Sequence, residues 1–146
     1  MIRINNKEAV VLTENIDIRA ANYASKSGSR LILMPNMFNR VTNIPPRYEK
    51  RYLDFKLQRA YKDVDEFIIN LPDGVVVEAM SKGEKIESKF GSYQSNIEQL
   101  SDNKLKYSRT YIMNKGNYSK EDYSAFRDFK KQIVKLDKTK IVLKVN

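Results

Sequence analysis

Over most of this chain the apolar residues fall at every second position, and only one late stretch changes to a spacing of three and four. Val10, Leu12, Ile16, Ile18 and Ala20 share one face of the stretch 9–23, with Thr13, Asn15, Asp17 and Arg19 on the other, a pattern that predicts a half-buried strand. Glu14 falls on the apolar face, which places it near a strand end or a bulge, or against a cationic partner. The cluster Lys26, Ser27, Gly28, Ser29 turns the chain into a second short strand at Leu31–Met34, and Pro35 ends it. From Asn36 to Arg51 no period survives, and Pro45 and Pro46 point to a long loop or edge crossing.

Alternation returns at Leu53, Phe55 and Leu57, then at Phe67, Ile69 and Leu71, at Val75–Ala79, and at Ile86–Tyr93. Leu105, Tyr107, Tyr111 and Met113 share a further face, on which Arg109 is the exception; a structural ion pair with a carboxylate such as Glu14, or stacking on a tyrosine, would account for it. Turn signals separate these runs at Pro72-Asp73-Gly74, Lys82-Gly83-Glu84 and Ser101-Asp102-Asn103. Short alternating strands punctuated in this way predict a mainly β protein, an antiparallel β-sandwich. One helix follows. Ser119 is its N-cap candidate, with Asp122 at the capping-box position, and Tyr123, Phe126, Phe129, Ile133 and Leu136 form a single apolar stripe. The sandwich therefore carries one C-terminal α-helix packed on it, and Ile141, Leu143 and Val145 return the chain to the sheet.

Composition narrows the chemistry. A chain of 146 residues with 41% hydrophobic and 31% charged residues fits one globular domain, 1–146, and has no apolar run long enough to span a membrane as a helix. No cysteine and no histidine occur, which removes disulfides, thiol nucleophiles, serine or cysteine triads, and the commonest metal ligands. No catalytic residue, metal ligand or cofactor is expected. The first residues show no signal-peptide core, and Glu8 and Glu14 follow soon after. Asp63, Asp65 and Glu66 read as a solvated turn before a strand, and no pair among Glu14, Asp54, Glu78 and Glu87 is held at a glycosidase separation by anything in the sequence.

The net charge of +9 attracts phosphates, acidic glycans or acidic protein surfaces. Between 40 and 62 the cations Arg40, Arg47, Lys50, Arg51, Lys56, Arg59 and Lys62 stand against Glu49 and Asp54, with Tyr48, Tyr52 and Tyr61 interleaved. That mixture suits a stacking and phosphate-contacting surface, and Arg47, Tyr48, Arg51, Tyr52 and Lys56 are the candidate partner- or ligand-binding residues. The plainer reading is that Tyr52 and Phe55 pack while the cations solvate an edge strand. A second basic group, Arg127, Lys130, Lys131 and Lys138, is accounted for by the helix dipole.

Landmarks recur in an ordered series: Leu71-Pro72-Asp73-Gly74 with Val77 and Glu78, then Glu87-Ser88-Lys89-Phe90-Gly91-Ser92-Tyr93, then the stretch from Lys115 to Phe129. Over roughly 40–146 this series resembles the C-terminal β-domain of bacterial transglutaminase-like proteins, a domain family without an assigned function. Arg47-Tyr48-Glu49-Lys50-Arg51-Tyr52-Leu53-Asp54-Phe55 resembles that domain's basic, aromatic opening segment, with Leu53 where a proline often stands. The resemblance implies a C-terminal fragment of a longer exported protein, periplasmic or at the cell surface, in which catalysis belongs to another domain. This chain would then be a non-catalytic accessory module packing on the neighbouring domain of the same polypeptide or on a protein partner. The residues alone leave a second reading open, a binding module for an anionic polymer, either acidic glycan or nucleic acid.

Overall fold

The computed structural model describes residues 2–6 and 10–145. In chain order the strands are β1 (Ile2–Asn6), β2 (Val11–Asn15), β3 (Ser25–Ser27), β4 (Arg30–Leu33), β5 (Phe55–Leu57), β6 (Tyr61–Asn70), β7 (Val75–Ala79), β8 (Lys85–Ser88), β9 (Gly91–Ser101), β10 (Lys104–Met113), β11 (Gly116–Tyr118) and β12 (Ile141–Val145). A 3₁₀ turn at Lys120–Asp122 leads into the helix α1 (Tyr123–Asp137). Two four-stranded antiparallel sheets, ordered β6-β10-β9-β8 and β3-β4-β12-β7, are accompanied by two-stranded ladders β1-β2 and β5-β11. The protein is a mainly β antiparallel sandwich with one C-terminal helix.

Strand β10 shows why the sheets meet where they do. Its odd-numbered residues Leu105, Tyr107, Arg109, Tyr111 and Met113 are all buried, as period-two alternation requires of a strand with one covered face. Two different layers cover that face. Leu105 and Tyr107, with Ile97 and Ile69, pack against Leu33, Val75, Ile141 and Leu143 of the second sheet. Tyr111 and Met113, with Phe90 and Tyr93, pack against Phe126, Phe129, Ile133 and Leu136 of the helix. The helix stripe is thus on the sheet, as its spacing predicts. Arg109 stands on the line between the two cores.

Several expectations need correction. The stretch 9–23 holds only the short β2, and Val10, Leu12, Ile16 and Ile18 are exposed, with Leu12 at 66%. Strand β2 pairs with β1 alone, in a ladder joined to neither large sheet, so its alternation faces no core. Residue 9 of that stretch, and Glu8, lie outside the described residues. Leu53 precedes β5 and is 77% exposed rather than part of an alternating strand. Asp63, Asp65 and Glu66 lie inside β6 and not in a turn before it.

The run Ile86–Tyr93 is two strands, because the chain reverses at Lys89-Phe90 and Gly91 takes a φ of +148°. A Cβ at Gly91 would stand 1.9 Å from the Ile112 carbonyl oxygen, so only glycine fits this turn. Lys82-Gly83-Glu84 is also not a tight turn. It runs beside β9 in the same register as β8, where the Ser95 and Ile97 N–H groups donate to the Glu84 and Lys82 carbonyls on either side of Gly83, whose φ is +103°. At the helix start Ser119 makes no side-chain cap bond of its own, while the Asp122 carboxylate reaches back to Ser119 as a capping box requires and also pairs with Lys89. That ammonium holds the Asp122 carboxyl below the usual range.

Candidate functional site

The segment 34–54 has no regular structure, yet side chains of the helix region fix it at intervals. Beside the helix C-terminus, the Asp137 carboxylate accepts hydrogen bonds from the Asn36 amide at 2.9 Å and the Val41 backbone N–H at 2.7 Å. Ten residues nearer the helix start, Arg127 Nε donates to the Pro45 carbonyl at 3.0 Å; the Tyr123 hydroxyl donates to the Pro46 carbonyl at 2.9 Å. The Asp54 carboxylate accepts the Lys120 N–H at 2.9 Å. The segment is therefore a strap that runs antiparallel to α1 along its whole length, about 22 Å at the helical rise per residue. Pro45 and Pro46 cost the strap no hydrogen bonds here, because their carbonyls are the groups used.

The far end of the strap carries the predicted residues. Arg51 is half-buried, its guanidinium 4.3 Å from the Tyr123 ring centroid, 5.4 Å from that of Phe55 and 5.7 Å from that of Tyr48. Its Nε donates to the Leu53 carbonyl at 2.9 Å. Tyr48 packs on Tyr123 with ring centroids 5.5 Å apart, and Lys50 lies over Tyr52 at 5.2 Å. Tyr48, Lys50, Arg51, Tyr52 and Leu53 line an open depression of about 260 Å³. Cation–π packing turns Arg51 from a free charge into the post of an aromatic platform. Outward, Tyr48, Tyr52 and Leu53 remain 52%, 73% and 77% exposed.

Of the five candidates, then, Tyr48, Arg51 and Tyr52 come together. Arg47 is exposed beside them on the strap but does not line the depression, and Lys56 projects from β5 opposite Asn117 of β11. Two participants lay outside the sequence selection. Leu53 reads as a strand position and Tyr123 as a helix-stripe position, and neither pattern shows that the far end of the strap folds onto the start of the helix. Of the second basic group, Arg127 holds the strap and Lys130 is half-buried, with Nζ donating to the Tyr111 hydroxyl at 2.8 Å. Burial pulls the Lys130 ammonium below its ordinary range.

The acidic candidates are engaged elsewhere. Glu78 takes a two-pronged bond from Arg30, at 2.5 and 2.7 Å, and Glu87 pairs with Lys85 at 2.6 Å. Glu14 lies opposite Arg3 in the β1–β2 register. Among the described residues no three carboxylates are grouped as a metal site.

Beneath the helix lies a buried polar cluster that the sequence showed only through Arg109. Arg109, 2% exposed, pairs with Asp65 at 2.6 Å and with Asp137 at 3.1 Å, so its carboxylates are these two and not Glu14. It also lies 5.4 and 5.6 Å from the Tyr111 and Tyr93 rings. Burial alone would lower the guanidinium pKa, but the charges of Asp137 and Asp65 outweigh it and raise the value. Across the sheet Arg109 sits level with Asp65 on β6 and Ser95 on β9, and the small buried serine leaves room for the guanidinium. Asp137 also accepts the Tyr93 hydroxyl at 2.7 Å. Asp137 escaped selection although its spacing from Phe126, Lys130 and Ile133 sets it on the apolar stripe. An acid there, at the unfavourable end of the helix dipole, is the signal that would have found it.

The hydroxyls of Tyr93, Tyr107 and Tyr111 are all pushed up by burial, that of Tyr107 to about 12, and Asp137 adds to the effect at Tyr93. Groups with a raised folded-state value bind their protons more tightly in the native chain. The Tyr107 contribution is complete below about pH 10, the ordinary tyrosine value, and is lost as pH rises through about 12; those of Tyr93 and Tyr111 are lost at higher pH still. Loss of far-UV circular dichroism coincident with the last third of the tyrosinate absorbance is the expected result; ionisation of all nine tyrosines well before unfolding would refute the buried placement.

The architecture recurs in a solved structure. The crystal structure of a "putative protease" from Parabacteroides distasonis superposes with a TM-score of 0.62 at 16% identity, over 81% of this chain and 24% of that one. At that identity the likeness is one of fold. The chain spans about a quarter of that protein's length. No curated protein matches the chain. Residues 29–143, which take in the whole of the first large sheet, most of the second, the strap and the helix, match the domain of unknown function with solved structure designated DUF3858, and the chain belongs to that family.

Proposed function

We propose that residues 1–146 form a non-catalytic accessory domain of a larger bacterial transglutaminase-like protein, periplasmic or at the cell surface, whose role is to dock the neighbouring domain or a protein partner. The observation that carries this reading is the aromatic platform at the end of the strap. Tyr48, Tyr52 and Leu53 are exposed together around Arg51, on a segment tied down by Asp137, Arg127, Tyr123 and Asp54. Exposed aromatic and apolar side chains on a fixed support are what binding hot spots are made of. Support also comes from the fold's occurrence as a quarter of a longer protein and from a chain that carries no cysteine or histidine for papain-like chemistry.

One further observation favours an anionic polymer as the ligand. Arg47, Lys50 and Lys56 have no carboxylate partner among the described residues. The test compares the double variant Tyr52→Ala/Leu53→Ala with the triple variant Arg47→Ala/Arg51→Ala/Lys56→Ala, each in the full native polypeptide, by hydrogen exchange at residues 47–56. Removing two exposed side chains should leave stability within about 0.5 kcal/mol. Docking should weaken about tenfold or more in the double variant and vary little with salt. Binding to heparin or single-stranded nucleic acid that falls steeply with salt and vanishes in the triple variant would replace docking with polymer binding.

A further inference from the structure

The two large sheets end in strands of very unequal length. Strands β3 and β7 have three and five residues, and β8 has four, extended only by the bonds of Glu84 and Lys82 on either side of a positive-φ Gly83, whereas β6 has ten. Short edges resist pairing with another chain, while a long regular edge presents a row of unpaired amide and carbonyl groups. Among the described residues no backbone hydrogen bond reaches β6 beyond its ladder with β10 and the turn that follows it. Its outward face is exposed at Lys62, Val64, Glu66 and Ile68, with Val64 at 64% and Ile68 at 49%.

We infer that this edge pairs antiparallel with the same edge of a second copy of the chain, giving one continuous sheet across a twofold axis. Symmetry restricts the choice of register. With the axis perpendicular to the sheet, the outward faces stay on one side only if outward residues meet outward residues. An axis at Lys62, Asp63, Asp65 or Glu66 sets a charge against its own copy. An axis at Phe67 sets Asp65 and Glu66 against Ile69 and Ile68. An axis at Val64 sets valine against valine, and Lys62 against Glu66 of the second copy on both sides of it. Tyr61 then meets Phe67 of the second copy, an aromatic pair of the kind that favours cross-strand association. The remaining inward pair joins Asp63 to Asp65 of the second copy, and Asp65 is already neutralised by Arg109 at 2.6 Å. On the outward side Lys106 flanks Glu66 at 2.9 Å, so each Glu66 lies between two cations in the pair. The self-complementary sequence of charges, and not exposure alone, selects the second copy as occupant.

Light scattering on the 146-residue chain across a concentration series tests this. The mass should rise from 17.1 kDa toward twice that value. Lys62→Glu and Glu66→Lys should each weaken association about tenfold or more, since each sets like charges in both symmetry-related pairs. Mixed together they should associate again, because the carboxylate introduced at position 62 of one chain then faces the ammonium introduced at position 66 of the other, and the second pair keeps its native residues. Glu66 also serves Lys106 within its own chain, so Val64→Lys, which sets two cations against each other at the axis, provides a variant free of that contact. Circular dichroism confirms the fold of each. A mass that stays at 17.1 kDa throughout, a Lys62→Glu or Val64→Lys chain that associates like the parent, or a mixture that does not recover would each overturn the proposal.

Discussion

Replacing Asp137 with alanine is expected to cost roughly 3–5 kcal/mol of folding stability, the range for breaking a buried ion pair from one side. The carboxylate is 1% exposed and receives the Asn36 amide, the Val41 N–H, the Tyr93 hydroxyl and the Arg109 guanidinium. Without it Arg109 stays buried with Asp65 alone, and three further donors lose an acceptor that water cannot readily replace. Asp137→Asn keeps the shape and removes the charge, so it separates the ionic contribution from packing. Denaturant unfolding of both variants gives the magnitude, and amide exchange at Val41 shows whether the strap has detached at that end. An alanine variant within about 1 kcal/mol of the parent would mean that Asp137 is not the hub of the cluster.

Phe126→Ala is expected to cost roughly 3–5 kcal/mol, because the ring is 9% exposed and its removal opens a cavity among other rings. Phe55 and Phe90 lie 5.4 and 5.3 Å from it, centroid to centroid. Phe90 is more enclosed at 1% exposure and touches Phe55, Tyr118, Phe126 and Phe129, so Phe90→Ala should fall at the upper end of the same range. Thermal melting of the two variants beside Tyr52→Ala, whose ring is 73% exposed, gives the ranking. Near-neutral values for Phe126→Ala would remove the helix from the sheet.

What the sequence displayed was periodicity, and periodicity survives where one face is continuously covered. The buried face of β10, strand β7, strand β12 and the stripe Tyr123 to Leu136 were legible for that reason. Alternation at Val10 to Ile18 looked the same, since a pattern names a face and cannot say whether anything lies over it. The break at Phe90-Gly91 rests on one positive φ, which leaves no repeat to read. The partners of Arg109 are 44 and 28 residues away in the chain, and so could be anticipated as a need for carboxylates but not as Asp65 and Asp137. The platform at Arg51 was half legible. Its residues are contiguous from Tyr48 to Leu53, but its floor is Tyr123, brought there by the path of an aperiodic strap.

Hydrophobic patterning has a blind spot in this molecule that the line Asp65, Arg109 and Ser95 removes. If β10 slid by two residues against its neighbours, every apolar side chain would still point inward, and the cores would be filled nearly as well. The cation would move off its two anions, each now stranded in an apolar layer at a cost of several kcal/mol. A misaligned hairpin is therefore penalised although its greasy face is intact. The charged line works as a proofreading mark for assembly, and chains that lose Arg109 together with both acids should be found trapped in more than one alignment even where they remain stably folded.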